Sequence, residues 1–324
     1  MKLTDAYFPY SFPAELGKCV ICPRECGADR LSGAVGKCGA GALPGVSSVC
    51  LHMGEEPVIG GESGVCNVFF THCNLRCSYC QNCQISDKMA VPDPGFQSLP
   101  AVADAICSIL NTGCNTLGFV SPSHMIPQML LIIKAVHDRG KKPVIVYNTN
   151  AYDKVDILKS LEGVVDVYLP DLKYMDDSLG SLLSDVPDYA SVATLALKEM
   201  YRQKGSALIT SLDGKAESGM VVRHLVLPGF IKNSTDVLGF LASELSPRIH
   251  LSLMAQYHPM PKVAFHPSLG RKLSEAEYGE VVDEMERLGF FNGWIQELES
   301  SSHYLPDFNR DHPFVENIEI VNNQ

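Results

Sequence analysis

Cys73-Asn74-Leu75-Arg76-Cys77-Ser78-Tyr79-Cys80 is a C-x3-C-x2-C loop that follows the apolar run Val65 to Phe70. Three thiols at this spacing, just past the end of a strand, can converge on one metal centre. Iron-sulfur clusters are held by Cys thiolates, usually four of them. A loop that supplies three leaves one metal with an open position, and open positions are where metal centres do chemistry. The question put to the remaining sequence is whether it builds a scaffold and a second binding surface around this loop.

Composition narrows the classes. The chain has 324 residues, 46% of them hydrophobic and 19% charged, which suits one large barrel or two ordinary domains. No apolar run reaches the roughly 18 residues of a membrane span. Met1-Lys2-Leu3-Thr4-Asp5-Ala6-Tyr7 lacks the basic-then-apolar pattern of a signal peptide, so the expected location is cytoplasmic. A formal net charge of -11 without a Lys/Arg cluster argues against nucleic acid, whose phosphates need a basic stripe. Twelve cysteines in a compartment that keeps thiols reduced argue for metal or redox chemistry. All but Cys107 and Cys114 precede residue 84, in spaced groups.

Residues 1–18 carry Phe8-Pro9-Tyr10 and Phe12-Pro13 and read as an irregular lead-in. Cys19, Cys22, Cys26 and Cys38 then form a C-x2-C-x3-C-x11-C knuckle among Gly27, Gly33, Gly36 and Gly39. Its apolar content is too low for a core of its own, so it folds around a metal or hardly at all. Zinc and a second iron-sulfur cluster both suit four thiolates; four free cysteines are the alternative. Residues 40–63 read as a Gly- and Pro-rich connection, with Gly60-Gly61-Glu62 a turn. Residues 1–63 are thus a Cys-rich N-terminal extension and connection, 64–298 the main body, and 299–324 a polar C-terminal tail with Tyr304, Phe308, Asp311 and His312.

The main body alternates strand and helix patterns. Apolar runs at 64–71, 115–120, 143–149, 164–170, 220–227 and 248–254 suit strands buried on both faces of a parallel sheet. Helical spacing appears over about 98–112, 125–139, 153–161, 185–203, 234–245 and 274–288. Six βα units predict an α/β fold, a partial (β/α)6 TIM-like barrel carrying the N-terminal Cys-rich metal-binding extension. Right-handed crossovers point all the strands one way, and functional groups then gather at their C-terminal ends. Polar residues do fall there: Thr71-His72 and the cysteine loop, Ser121-Pro122-Ser123-His124, Asn148-Thr149-Asn150, Asp171-Leu172-Lys173, Arg223-His224 with Pro228-Gly229, and Gln256-Tyr257-His258. Singly each suits a turn, a surface ion pair or a structural histidine; six on one rim do not.

The cysteine loop resembles the signature of the radical S-adenosylmethionine (radical SAM) enzymes. Over about residues 19 to 297 the chain is similar to that superfamily's pyruvate formate-lyase activating enzyme-like branch. Arg-His-Leu-Val-Leu-Pro-Gly, Met-Ala-Gln-Tyr-His-Pro and the Cys-Pro-Arg-Glu-Cys-Gly knuckle resemble a subgroup of activating-enzyme homologues. The resemblance implies a [4Fe-4S] cluster on Cys73, Cys77 and Cys80 whose open iron takes SAM. It implies SAM contacts from Asp171 and Lys173 to the ribose and carboxylate, from His258 to the ribose, and from Arg223. Where the family carries Gly-Gly-Glu after the second strand, this chain has Ser121-Pro122-Ser123, which leaves the SAM amino group to carbonyls and to the Ser121 and Ser123 hydroxyls. Asn148-Thr149-Asn150-Ala151 replaces Asp-Thr-Asn-Gly, which weakens a cation site but keeps Asn148 beside the cofactor. Cys83 is read as spare, since a fourth protein ligand would close the cluster. The implied reaction is reductive cleavage of SAM to a 5'-deoxyadenosyl radical that abstracts hydrogen, with an electron donor of flavodoxin or ferredoxin type. The substrate is then the glycine of a glycyl radical enzyme, or a small molecule or other peptide with the knuckle as auxiliary centre. A non-catalytic zinc or iron-sulfur binding protein is the third reading.

Overall fold

The computed structural model describes residues 2–7, 9–11, 13–298, 305–310 and 312–314. Tyr304, Asp311, Phe8 and Phe12 lie outside the described residues. Among the described residues the strands form a nine-stranded sheet. They are β1 (Val46–His52), β2 (Val65–Phe70), β3 (Thr116–Val120), β4 (Val144–Thr149), β5 (Val167–Pro170), β6 (Ile209–Thr210), β7 (Ala216–Leu225), β8 (His250–Met254) and β9 (Gly293–Ile295). The order is β1-β2-β3-β4-β5-β7-β8-β9, with β6 on β7. β1 runs antiparallel to β2, and every later neighbour on that path is parallel. β1 and β9 are the two edges, so the barrel is open, as the six-unit reading expected.

Several elements differ from the expectation, among them the two-residue β6, which no apolar run announced. The stretch read as a plain connection contributes β1, whose alternating burial is the pattern of a strand with one covered face. β9 is only three residues long and too short to show a period. The helix expected over 185–203 begins at Tyr189 and is preceded by another, Asp177–Ser184. Asp185, in the left-handed region at φ 56°, separates the two. The longer helices, Leu99–Leu110, Ile126–Asp138, Val155–Ser160, Ile231–Phe240 and Glu275–Arg287, fall within the expected stretches or start three residues early. The short helices Leu3–Tyr7, in the segment read as an irregular lead-in, Pro57–Gly60, in the connection, and Cys83–Ser86 were not expected.

Strand side chains alternate between two environments. Cys66, Val68, Phe70, Leu117, Phe119, Ile145, Tyr147, Leu251 and Leu253 join the main core cluster. Val65, Val146, Val167, Leu169 and Val221 form a separate apolar group with Ile59 and partly buried Trp294. This second group fills one end of the barrel lumen, and the residues two positions further along the strands turn polar: Asn67, Asn148, Asp171 and Arg223. Asn67 interrupts the apolar run of β2 to donate from Nδ2 to Glu55 Oε1 at 2.7 Å. Its path crosses β3 at Gly118, where a Cβ would stand 2.1 Å from Asn67 Oδ1. Gly118→Ala is therefore expected to cost about 1–3 kcal/mol, the usual range for overpacking a tight core. Urea unfolding measures it, and an unchanged midpoint would show that Asn67 is free to move aside.

Candidate active site

The cysteine loop begins where β2 ends. His72, Ser121 and Ala151, which follow β2, β3 and β4, all adopt positive φ at 71°, 51° and 61°. Non-glycine residues take that region at a cost, and such positions cluster at functional rims. Here they turn three successive strand ends over the same mouth.

The loop is tied down on several sides. Arg76 N and Ser78 N donate to the carbonyls of Ser184 and Leu183 at 3.0 and 2.8 Å, docking the loop on the helix Asp177–Ser184. Asn74 Nδ2 donates to Tyr152 O at 2.9 Å, and Asn150 Nδ2 donates to Asn74 Oδ1 at 2.8 Å. Tyr79 and Tyr174 share a hydroxyl hydrogen bond of 2.6 Å, which Tyr174 extends to Ser184 Oγ at 2.8 Å. Each thiol has a polar neighbour: Cys73 Sγ accepts from Asn150 Nδ2 at 3.4 Å, while Cys77 and Cys80 pair with the hydroxyls of Ser184 and Ser86 at 3.0 and 3.2 Å.

Cys73, Cys77 and Cys80 line one cavity of about 210 Å³, together with Ser121, Asn148, Asp171, Lys173 and Arg223. Burial raises all three thiol pKa values, with Cys73 pushed up to about 12 and Cys80 to about 11. The thiolates are thus costly here unless a positive centre receives them. Lys173 Nζ donates to Asp171 Oδ2 at 2.8 Å. Burial opposes the Lys173 charge, yet Asp171 and the Cys77 sulfur hold its pKa well above the ordinary lysine value. Among the described residues no group of three or more His, Cys, Asp or Glu side chains is gathered tightly enough to hold a single ion. Three thiols around one cavity still suit an iron-sulfur cluster in kind and number, because each ligand binds a different iron of the cluster and the sulfurs need not meet at one point.

The rim residues divide. Ser121, Asn148, Asp171, Lys173 and Arg223 face this cavity. Ser123 and His258 are not among its lining residues. Ser123 is buried, its hydroxyl 3.1 Å from Thr149 Oγ1. His258 is half-buried with no hydrogen-bond partner on its buried Nδ1. His124 and His224 are structural: their ring nitrogens reach Thr71 O, Leu172 O and Ser234 Oγ, and burial lowers their pKa values to about 3 and about 4. Arg223 is already engaged. Its guanidinium pairs with both Glu55 and Glu56, the latter through Nε at 2.8 Å and also through Nη2. That acidic pair escaped the sequence reading because it lies in the Gly- and Pro-rich connection. The signal was there in Arg223 itself, a charge facing inward on a buried strand, which requires a partner. Asn150, on the expected rim but given no contact of its own, lines the cavity, and its amide contacts Cys73 and Asn74. Cys83 opens the short helix Cys83–Ser86 and is absent from the cavity lining.

The knuckle packs against the back of the loop. Arg24 Nε donates to Asn74 O at 2.9 Å, and Arg76 Nη2 to the carbonyls of Lys37 and Cys38 at 2.6 and 3.2 Å. Arg30 is 1% exposed; it donates to His124 O at 2.9 Å and stands 3.6 Å from Cys38 Sγ. The thiols of Cys19 and Cys22 each lie in the field of Cys38 and of another knuckle cysteine. A Cβ on Gly36 would stand 3.1 Å from Cys38 Sγ and 3.4 Å from Cys26 Sγ, so the glycine leaves room beside the sulfurs. The four thiols with a buried guanidinium beside them suit a metal centre in donor type.

No family model matches the chain. It is 28% identical over 246 residues to an uncharacterised protein of Methanocaldococcus jannaschii, covering 74% of this chain and 67% of that one. Among solved structures it is similar to a domain of a pyruvate-formate lyase-activating enzyme from Bacteroides vulgatus, with a TM-score of 0.37, 17% identity, and coverage of 51% of this chain and 88% of that one. Streptococcus suis SuiB bound to precursor peptide SuiA gives a TM-score of 0.47 and 13% identity, and anSMEcpe with bound AdoMet 0.45 and 12%. The matches cover 75% and 67% of this chain, but only 51% of the SuiB chain and 57% of the anSMEcpe chain.

Proposed function

We propose that the chain is a radical SAM enzyme, with Cys73, Cys77 and Cys80 as the three protein ligands of a [4Fe-4S] cluster. The observation that carries this reading is the shared cavity: three thiols, a half-buried Lys–Asp pair and the polar ends of β3 and β4 face one another at the C-terminal mouth of parallel strands. When bound and reduced, the cluster would supply the electron that cleaves SAM to methionine and a 5'-deoxyadenosyl radical. The residues of the chain bind and exclude water. Lys173 places a fixed positive charge where a carboxylate would lie, and Asp171 both holds that ammonium and offers acceptors to ribose hydroxyls. Ser121 and Asn148 present the hydroxyl, amide and carbonyl groups that an amino group needs. His258, with its orphaned Nδ1, is within the proposal only as a ribose contact that forms on binding.

The knuckle is proposed as a second metal centre on Cys19, Cys22, Cys26 and Cys38, whose thiols would draw together on zinc or another cluster when it binds. Reduction calls for an external donor of flavodoxin or ferredoxin type in a reducing, cytoplasmic setting. Among the described residues no helix is long and apolar enough to cross a membrane. The substrate remains between a glycyl radical enzyme's glycine loop and a small molecule, and a second cavity favours the small molecule.

Anaerobic reconstitution with iron and sulfide, followed by dithionite and SAM, tests the reading. Formation of 5'-deoxyadenosine is expected. A preparation that takes up iron and yet yields none is not a radical SAM enzyme. Iron and zinc counts on wild type and Cys19→Ala, expected to differ by the content of one centre, identify what the knuckle holds.

A further inference from the structure

Beyond the thiol-lined cavity lies a second one of about 250 Å³, which shares Asn148, Arg223 and Gln256 with the first. It spans the opening of the barrel: His52 at the end of β1 and Trp294 on β9, the two unpaired edges of the sheet, both line it. What stands across the opening is the C-terminal segment. Phe314 lines the cavity, its ring 4.0 Å from that of His52 and 5.7 Å from that of Phe69. Phe308 lies edge-on to Phe69 at 5.2 Å. Together they cover Cys50, Phe69 and Ile85, which are 4%, 4% and 8% exposed on the lumen side of β1, β2 and the following short helix.

The segment is moored at one exposed residue. Gln84, in the helix immediately after the cysteine loop, accepts from Phe308 N at 2.8 Å and donates to Asp307 Oδ1 at 3.1 Å. Asp307 N donates to Pro313 O at 2.8 Å, which folds the segment back on itself. This mooring is polar and solvent-exposed and therefore weak, while the aromatic contacts behind it seat Phe314 and Phe308 on the β1 side of the lumen.

We propose that residues 305–310 and 312–314 form the wall that completes the substrate chamber, and that the chamber so bounded takes a small polar molecule rather than a protein loop. The proposal rests on the reading of the thiol-lined cavity as the cofactor site, which makes its neighbour the place where hydrogen is abstracted. At about 250 Å³ the chamber falls below the roughly 300–1,000 Å³ of pockets for drug-sized ligands. Gln296 accepts from Ala255 N and Gln256 N and donates to Gln256 Oε1, which fixes the Gln256 amide. The Ser252 hydroxyl and Gln256 Nε2 then offer hydrogen bonds to such a molecule, and Trp294 and Phe314 offer ring faces. A loop entering past β1 would meet Phe314 and Phe308.

Trp294 is the one tryptophan of the chain, so its fluorescence reports on the chamber without cofactor or turnover. Quenching is measured with acrylamide and with a decapeptide carrying a nitroxide, in wild type, Phe314→Ala and Gln84→Ala. Acrylamide is expected to quench all three. The labelled peptide is expected to leave wild type almost unquenched and to quench both variants, whose emission also shifts to the red. Gln84→Ala removes only the exposed mooring and keeps the test valid should Phe314→Ala fail to fold. Equal quenching of wild type and variants by the peptide would overturn the proposal, as would emission unchanged in both folded variants. Because SAM cleavage plays no part in the measurement, failure here is distinct from failure of the radical SAM reading.

Discussion

Reconstituted Cys77→Ala is expected to form no 5'-deoxyadenosine from SAM and dithionite, while Cys83→Ala forms it like wild type. The two residues sit in one short stretch and differ in place. Cys77 lines the cavity with Asp171 and Lys173, its sulfur 3.0 Å from the Ser184 hydroxyl. Cys83 starts the helix beyond the loop and lines neither cavity. With three protein ligands, losing one leaves an iron without its thiolate and the cluster without a full hold. The fold should survive the change, because the loop is kept by backbone bonds from Arg76 and Ser78 to the helix Asp177–Ser184. Circular dichroism checks that, and the iron count locates the loss in the cluster. Cleavage at the wild-type rate by Cys77→Ala would remove these thiols from the mechanism. Loss of cleavage in Cys83→Ala would make Cys83 a ligand and leave no open position.

Much of this arrangement was legible because parallel strands announce themselves. Val144 to Tyr147 and Val167 to Leu169 are apolar on both faces, and a turn residue follows each, so strand ends and rim residues could be placed by counting. What failed to show were features set by tertiary contact. β1 alternates buried and half-buried residues that are mostly small, and it is a strand because β2 needs a neighbour on that side. Glu55 and Glu56 lie in a Gly- and Pro-rich connection with no pattern to mark them, and their place is set by Arg223, 167 residues away from Glu56 in sequence. Ser123 and His258 stand in the right stretches, but the side chain of the first turns to Thr149, which strand counting could not foresee. Phe308 and Phe314 carry no period at all, and only their contact with Phe69 gives them a place.

The largest stability effect is expected at that buried triad. Glu55, Glu56 and Arg223 have side chains 8–10% exposed, and taking one charge out of such a group typically costs about 3–5 kcal/mol because the others stay buried and unpaired. Arg223→Met should therefore lower the unfolding free energy by about that amount, with Asn67 and Gly118 too tightly packed to let the carboxylates swing out. The pH dependence separates this from a simple packing defect. Burial alone would raise the Glu55 pKa, but Arg223 and His52 bring it down from 4.5 to about 2. A depressed carboxylate stabilises the fold above its unfolded pKa and loses that contribution as pH falls toward its folded value. Wild type should then lose stability between about pH 4.5 and 2, where the unfolded chain binds the proton and the folded one does not. In Arg223→Met the Glu55 carboxylate is buried without its guanidinium, so its pKa rises and the folded form binds the proton first. Its stability should increase as pH falls below neutrality, the opposite slope over the mildly acidic range. Thermal melts of both proteins from neutral to acid pH show the two slopes directly. Parallel slopes would mean that the carboxylates find water once the guanidinium is gone, and that the lumen is wetter than its burial indicates.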